Sequence, residues 1–324
     1  MRLHQARGYY LEEIVRELMK KSKFVDVKTG NIEGRGADHQ IDSYGTFFFT
    51  IPFVYPVRLI SEVKWFSRRY TVKLNHIRSF VGVILDISQN YFVPRNVRSR
   101  RFPSTTSIKE RYTDCGAFFS ATSFSGDAQS YAWAHGIYLI PFSKDPLLSP
   151  ILDRSNYLLR QSSSWQSRHS TKTDVINLAS SHLQHDPQLR HLLRRTYSYI
   201  GILDQLYPVL IISDGMFNFD PRAPDTLIGE DMSFDDSRAF KERRVEEEGE
   251  VSFQFRFRGA RFSFSLPIVT ARKIIHAIES TYGGEPFAFL DIPILLGAGN
   301  ETYRRIYRIS LALPCKSDMV NALR

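Results

Sequence analysis

The segment Val57-Arg-Leu-Ile-Ser-Glu-Val-Lys-Trp65 reads as a strand that places two charges, Glu62 and Lys64, on one face of an otherwise apolar run. Side chains alternate along a strand, so Val63 turns into the opposite layer. Burying such charges is costly unless they are paired or bind an ion. Upstream stands Gly34-Arg-Gly-Ala-Asp-His-Gln-Ile-Asp42. If 38–42 is extended, Asp38, Gln40 and Asp42 share a face, and a hairpin through Phe47–Pro56 brings Asp42 beside Glu62. Two carboxylates so placed can hold Mg2+, a hard cation that prefers oxygen ligands and keeps several waters. Such a metal lowers the pKa of a bound water and stabilises charge on a scissile phosphate. Lys64 would orient the water and offset the developing charge. The competing reading is an ordinary Glu/Lys pair on a half-exposed strand.

The elements around these residues follow from periodicity. Leu11, Ile14, Val15, Leu18 and Met19 recur at helical spacing over 8–22. On that helix Glu12 borders the apolar stripe, which makes it the candidate fourth group of the site, and Glu13 is expected to face solvent. A β-rich stretch covers 25–63, a helix about 71–87, a strand 116–122, a helix 126–135 and a strand 137–141. This order predicts an α/β fold with a mixed central sheet flanked by helices. Residues 143–172 are Ser-rich and read as a linker. Beyond them, residues 173–324 read as an α+β domain. Its expected elements are a helix over 174–199 broken at Pro187, a strand 209–213, a solvated loop over 220–250, a hairpin over 251–267 turning near Gly259, a helix 270–280 and a strand 303–313. Phe253, Phe255 and Phe257 alternate within the hairpin, as a core face would.

Charge is unevenly spread. The chain carries a net +9, but residues 1–142 hold 20 Lys and Arg against 12 Asp and Glu, a net +8, leaving 23 against 22 for the rest. A localised positive field suits a polyanion such as nucleic acid. Arg98, Arg100 and Arg101 in a basic insertion, and Lys73 and Arg78 on a helix, are the candidate phosphate contacts. The two cysteines, Cys115 and Cys315, lack metal-ligand spacing, and the histidines form no HExxH motif. No apolar run approaches bilayer length, so the expectation is a cytoplasmic protein without membrane partners.

Taken in order, Gly8-Tyr-Tyr-Leu-Glu12-Glu13, Gly36-Ala-Asp-His-Gln-Ile-Asp42, Glu62-Val-Lys64, Gly116-Ala-Phe-Phe-Ser-Ala-Thr-Ser-Phe-Ser-Gly-Asp-Ala128 and Tyr131-Ala-Trp-Ala-His-Gly-Ile137-Tyr-Leu-Ile140 resemble the Mrr-like branch of the PD-(D/E)xK nucleases. The resemblance covers about 8–142. It implies a Mg2+-dependent DNA endonuclease, with Mn2+ able to substitute, of the kind used in restriction and anti-phage defence. It implies metal binding by Asp42 and Glu62, with Lys64 as the motif lysine and Glu12 as the helix-borne glutamate. Asp38 also fits the acidic position. Cutting both strands implies a homodimer. The absence of a Walker motif means that any NTPase activity or sensing would come from a protein partner. The alternatives are a catalytically silent DNA-binding module on a nuclease fold and a nuclease effector that needs a partner or signal.

Overall fold

The apolar stripe near the N-terminus builds α1, Leu3–Lys21, whose Tyr10, Leu11, Ile14 and Val15 are fully buried. The computed structural model describes residues 2–47, 55–67, 70–90, 111–143, 145–162, 170–203, 207–215, 226–228, 230–235, 250–257, 259–273, 287–298 and 301–312. After α1 come β1 (Phe24–Glu33), β2 (Asp38–Phe47), β3 (Val57–Lys64), α2 (Leu74–Ser88), β4 (Thr113–Ser120), α3 (Gly126–Ala134) and β5 (Ile137–Pro141). The five strands form one sheet in the order β1-β2-β3-β4-β5. The first three are antiparallel; β3, β4 and β5 are parallel. This is a mixed α/β arrangement with helices on both faces, compatible with a nuclease-like α/β fold.

The two faces carry separate cores. Ile60, Phe118 and Leu139 pack beneath α2 and α3 with Ile77, Phe80 and Ala128. Leu59, Val63, Ala117 and Phe119 pack beneath α1. At Gly116 a Cβ would stand 2.7 Å from the end of the Ile137 side chain and 3.1 Å from the Ile84 side chain, so any larger residue there would have to displace them.

The stretch 143–172, expected as a linker, instead contains α4, Ser149–Gln161. Ile151, Leu152 and Leu159 are buried in the α1-side core. Such burial is worth about 1.5–3 kcal/mol per side chain before ordering costs, which favours a packed helix over a solvated tether. The region expected as one interrupted helix over 174–199 forms α5 (Lys172–His185) and α6 (Pro187–Arg194), with Pro187 at the first turn of α6, where its missing N–H costs nothing, but its end, 197–199, is strand rather than helix. Val175, Ala179, Leu189 and Leu193 join the same core as α1.

A second, eight-stranded sheet follows. It is built from β6 (Tyr197–Leu203), β7 (Tyr207–Ser213), β8 (Thr226–Ile228), β9 (Glu230–Asp235), β10 (Glu250–Phe257), β11 (Ala260–Pro267), β12 (Phe287–Ala298) and β13 (Glu301–Ala312), in the order β8-β13-β12-β6-β7-β11-β10-β9. The expected hairpin is β10–β11, with Gly259 at φ +81° in its turn. Phe253 and Phe255 are buried there as core. β8 and β9 fall within the expected loop, and β12, which the sequence reading did not single out, pairs with β13. No helix among the described residues is long and apolar enough to cross a membrane.

Asp145 ties the second sheet to the start of α4. It is 1% exposed and accepts hydrogen bonds from the Leu147 and Leu148 amides (2.9 and 3.0 Å) and from the hydroxyls of Ser263 (3.0 Å) and Ser265 (3.4 Å) on β11. Asp145→Ala removes a helix-start acceptor and strands these donors. The expected loss is about 2–4 kcal/mol in urea unfolding; a loss below about 0.5 kcal/mol, the ordinary surface range, would show that the staple is dispensable.

Candidate active site

β2 and β3 run together only from Phe47↔Val57 to Ser43↔Ser61. There the two serines close the ladder with a 2.6 Å hydroxyl contact on the α1 side, where Ser43 also reaches the Met19 sulfur. Just beyond, β2 is irregular against β1. From Tyr44 to Ile41 it advances three residues while its partner advances two, from Lys28 to Gly30. This extra residue is a β-bulge, a device that re-aims a side chain. Ile41 consequently enters the core beneath α2, whereas Ser43 faces α1; in an unbroken strand both would share a face. Asp42 sits at the irregularity. Its Oδ2 accepts the Val63 amide of β3 at 2.9 Å, so the carboxylate bridges the strands where they separate.

Glu62 and Lys64 follow at the carboxyl end of β3, and their side chains are in direct contact. Glu12 enters from α1, 5% exposed, and pairs with Lys172 of α5 at 2.7 Å. The Lys172 ammonium also lies 4.8 Å from the centre of the Tyr9 ring.

These groups feel one another's charge. Burial pushes the Asp42 carboxyl up and the Glu62 charge pushes it further, against the pull of Lys64, the Val63 amide and Lys172; the result is about 6. Burial likewise raises Glu12, reinforced by Asp42 and opposed by Lys172 and Lys64, to about 7. Burial works to lower Lys64, but the carboxylates of Glu62, Asp42 and Glu12 outweigh it and hold the ammonium above its ordinary value. Three carboxylates and two lysines therefore form a single electrostatic unit at the diverging strand ends.

Among the described residues no three His, Cys, Asp or Glu side chains gather closely enough to hold a metal by themselves. Mg2+ takes one or two protein carboxylates and retains its waters. Asp42 and Glu62, from adjacent strands and within each other's electrostatic reach, are the two carboxylates that could supply such ligands.

The remaining candidates are placed elsewhere. Asp38 and Gln40 are exposed, on the half of β2 nearest the β1–β2 turn. Asp38 lies about 13 Å along the strand from Asp42 at ordinary rise, opposite Glu33 in the ladder. His39 donates through Nε2 to Asp86 of α2 at 2.7 Å, and Asp86 also accepts the Gly36 and Ala37 amides. A Cβ on Gly34 would collide with that carboxylate. The Gly-Arg-Gly-Ala-Asp-His run thus shapes a turn clasped by α2, while Asp42 alone of its acids reaches the site. Lys73 is exposed just before α2, and Arg78 is exposed on α2 with its guanidinium 5.5 Å from the Tyr131 ring centre. Arg98, Arg100 and Arg101 lie outside the described residues.

Two outcomes differ from the sequence reading. Glu13, expected in solvent, is 7% exposed; it contacts Arg16 and accepts from Ser180 of α5 at 3.3 Å. A helix packed over α1 from distant sequence covers that side. Lys172 was not singled out at all. Thr171 and Asp174 around it form a legible capping box, which marks a helix start, but nothing local reveals that the helix delivers a lysine to Glu12.

No family model and no curated protein matches the chain. Among solved structures it is similar to the crystal structure of AF1548, a protein of unknown function, at 16% identity and a TM-score of 0.31 over 54% of this chain and 98% of that one. At that level the likeness says nothing about activity.

The raised carboxylates have a consequence for stability without metal. The ordinary glutamate value is 4.5 and the folded one about 7, so between them the native chain binds more protons than the unfolded chain. Stability must then fall as pH rises through that window. In EDTA, the melting temperature should drop between about pH 5 and about 7.5, and Glu12→Gln should flatten the drop. A wild-type melting temperature that is level or rising there would contradict the proposed charge crowding.

Proposed function

We propose that the chain is a Mg2+-dependent DNA endonuclease that hydrolyses phosphodiester bonds, with Mn2+ able to replace Mg2+. The observation that carries this reading is the convergence of Asp42 and Glu62 from adjacent strands with Lys64 on the same charge network. Asp42 and Glu62 would hold the metal, which when bound supplies charge stabilisation to the phosphate and a water of lowered pKa. The Val63 amide fixes one Asp42 oxygen, so the other would be the one offered to a metal. Lys64 is kept protonated by its carboxylate neighbours and so retains a proton and a positive charge to offer a phosphate oxygen. Glu12 holds or accepts a proton near neutral pH at the site's α1 wall.

The net +8 of residues 1–142 favours DNA as the partner. A homodimer would place two sites for double-strand cleavage, and any NTPase or sensing step would belong to a protein partner. Restriction or anti-phage defence in the cytoplasm follows from the resemblance to Mrr-like nucleases.

The test is cleavage of supercoiled plasmid, methylated and unmethylated, with Mg2+, Mn2+ or EDTA. Asp42→Asn and Lys64→Ala should each reduce cleavage by about a thousandfold. Undiminished activity in both variants would place the chemistry elsewhere. Binding to DNA without cleavage under every condition would instead identify a silent nuclease-fold module.

The Lys172–Glu12 pair favours a second reading, an effector held inactive until a partner or signal moves α5. The two readings give Lys172→Met opposite signs. If Lys172 serves to keep Glu12 ionised, the variant cuts several-fold more slowly at pH 7 and its acid limb moves to higher pH. If Lys172 is a lock, the variant cuts faster than wild type.

A further inference from the structure

The segments that follow the three parallel strands line one cavity of about 840 Å3: 65–67 after β3, 121–123 after β4, and Ser143 just beyond β5. The crevice outside the carboxyl ends of parallel strands is where open α/β sheets hold ligands, and this volume lies within the range of small-molecule sites. α1 and α4 complete the wall with Arg7, Asp153, Asn156 and Arg160.

The chemistry of the wall is specific. Among the described lining residues are two guanidiniums, Arg7 and Arg160, and one carboxylate, Asp153. Arg7 donates through Nε (3.1 Å) and Nη2 (2.8 Å) to the Asn156 side-chain oxygen. That acceptor is neutral, so it orients the guanidinium without cancelling its charge. Burial and the nearby Arg160 charge both hold the Arg7 pKa below its ordinary value; an anion between the two arginines would relieve that repulsion. Trp65 lines the same space, and Tyr70 stands at it 67% exposed. An exposed ring of this kind offers a stacking face to a base, and paired arginines match a phosphate.

We infer that this cavity binds a nucleotide unit, its base against Trp65 and Tyr70 and its phosphate between Arg7 and Arg160. Such a unit can come from two sources. One is a nucleotide of a DNA strand drawn out beside the cutting site. Trp65 directly follows Lys64, and Arg7 precedes Glu12 by five residues, about 7.5 Å along α1. This source rests on the proposed nuclease reading. The other is a free nucleotide, which needs no cleavage activity.

The experiment is calorimetric titration of the full chain in EDTA with dAMP, then with a short single-stranded oligonucleotide, alone and in competition. EDTA removes the metal chemistry, so failure here is separate from failure of the nuclease reading. Binding of dAMP or the oligonucleotide is expected, weakened about tenfold in Arg160→Ala and in Tyr70→Ala, both exposed positions where the fold should survive. Competition between dAMP and the oligonucleotide assigns the cavity to a strand-derived nucleotide. Binding of dAMP that the oligonucleotide does not displace assigns it to a free one. Absence of binding by either ligand, or binding unchanged in both variants, overturns the inference.

Discussion

Charge crowding at the point where β2 leaves β3 governs much of this molecule. Asp42 is held there by a backbone amide while Glu62 and Glu12 press on it from β3 and α1. An interior tolerates such a group only if cations stand close by or protons stay on. The fold supplies both, with Lys64 and Lys172 as cations and elevated pKa values for Asp42 and Glu12. Ladder hydrogen bonds, by contrast, stop at Ser43↔Ser61, so the site exists because regular pairing ends there. The bulge that ends it also keeps Ile41 in one core and Ser43 in the other.

That constraint extends into the C-terminal half of the chain. α5 covers the side of α1 that bears Glu13 and brings Lys172 to Glu12. The Tyr10 hydroxyl lies 3.1 Å from His182 Nδ1, and Ser22 donates to Ser198 at 2.8 Å on β6. Tyr207 of β7 accepts the Leu139 amide of β5 at 3.1 Å, with Trp133 stacked on its ring. A single apolar core runs from Ala6 of α1 to Ile212 of β7. The C-terminal half therefore acts on the site through packing and charge.

Much of the N-terminal architecture was legible because its signals are local. The 3.6-residue stripe of α1 and the alternation in β3 each lie within a few residues, and the α, β, α, β order followed. Glu12 could be placed by its angle from the stripe. Less was legible beyond residue 142. Ser-rich composition masked α4, whose Ile151, Leu152 and Leu159 matter only once α1 is there to receive them. The strand expected at 303–313 is β13, whereas β12 gains meaning only from its pairing with β13.

By itself the sequence determined which residue types are available to the site, Asp42, Glu62, Lys64 and Glu12, and which strand or helix bears each, because alternation and helical angle are properties of the covalent chain. It left Asp38 as a second candidate beside Asp42, since both lie on one face of an ideal strand. Only the tertiary structure separated them: the bulge and the Val63 amide take Asp42 to the charge cluster, and the clasp of Asp86 on the Gly34–His39 turn keeps the other end of β2 away. It alone also turned Glu13 inward and recruited Lys172. Bulges and helix-on-helix contacts are set by what packs from elsewhere in the chain, and no local periodicity records a partner that arrives from distant sequence.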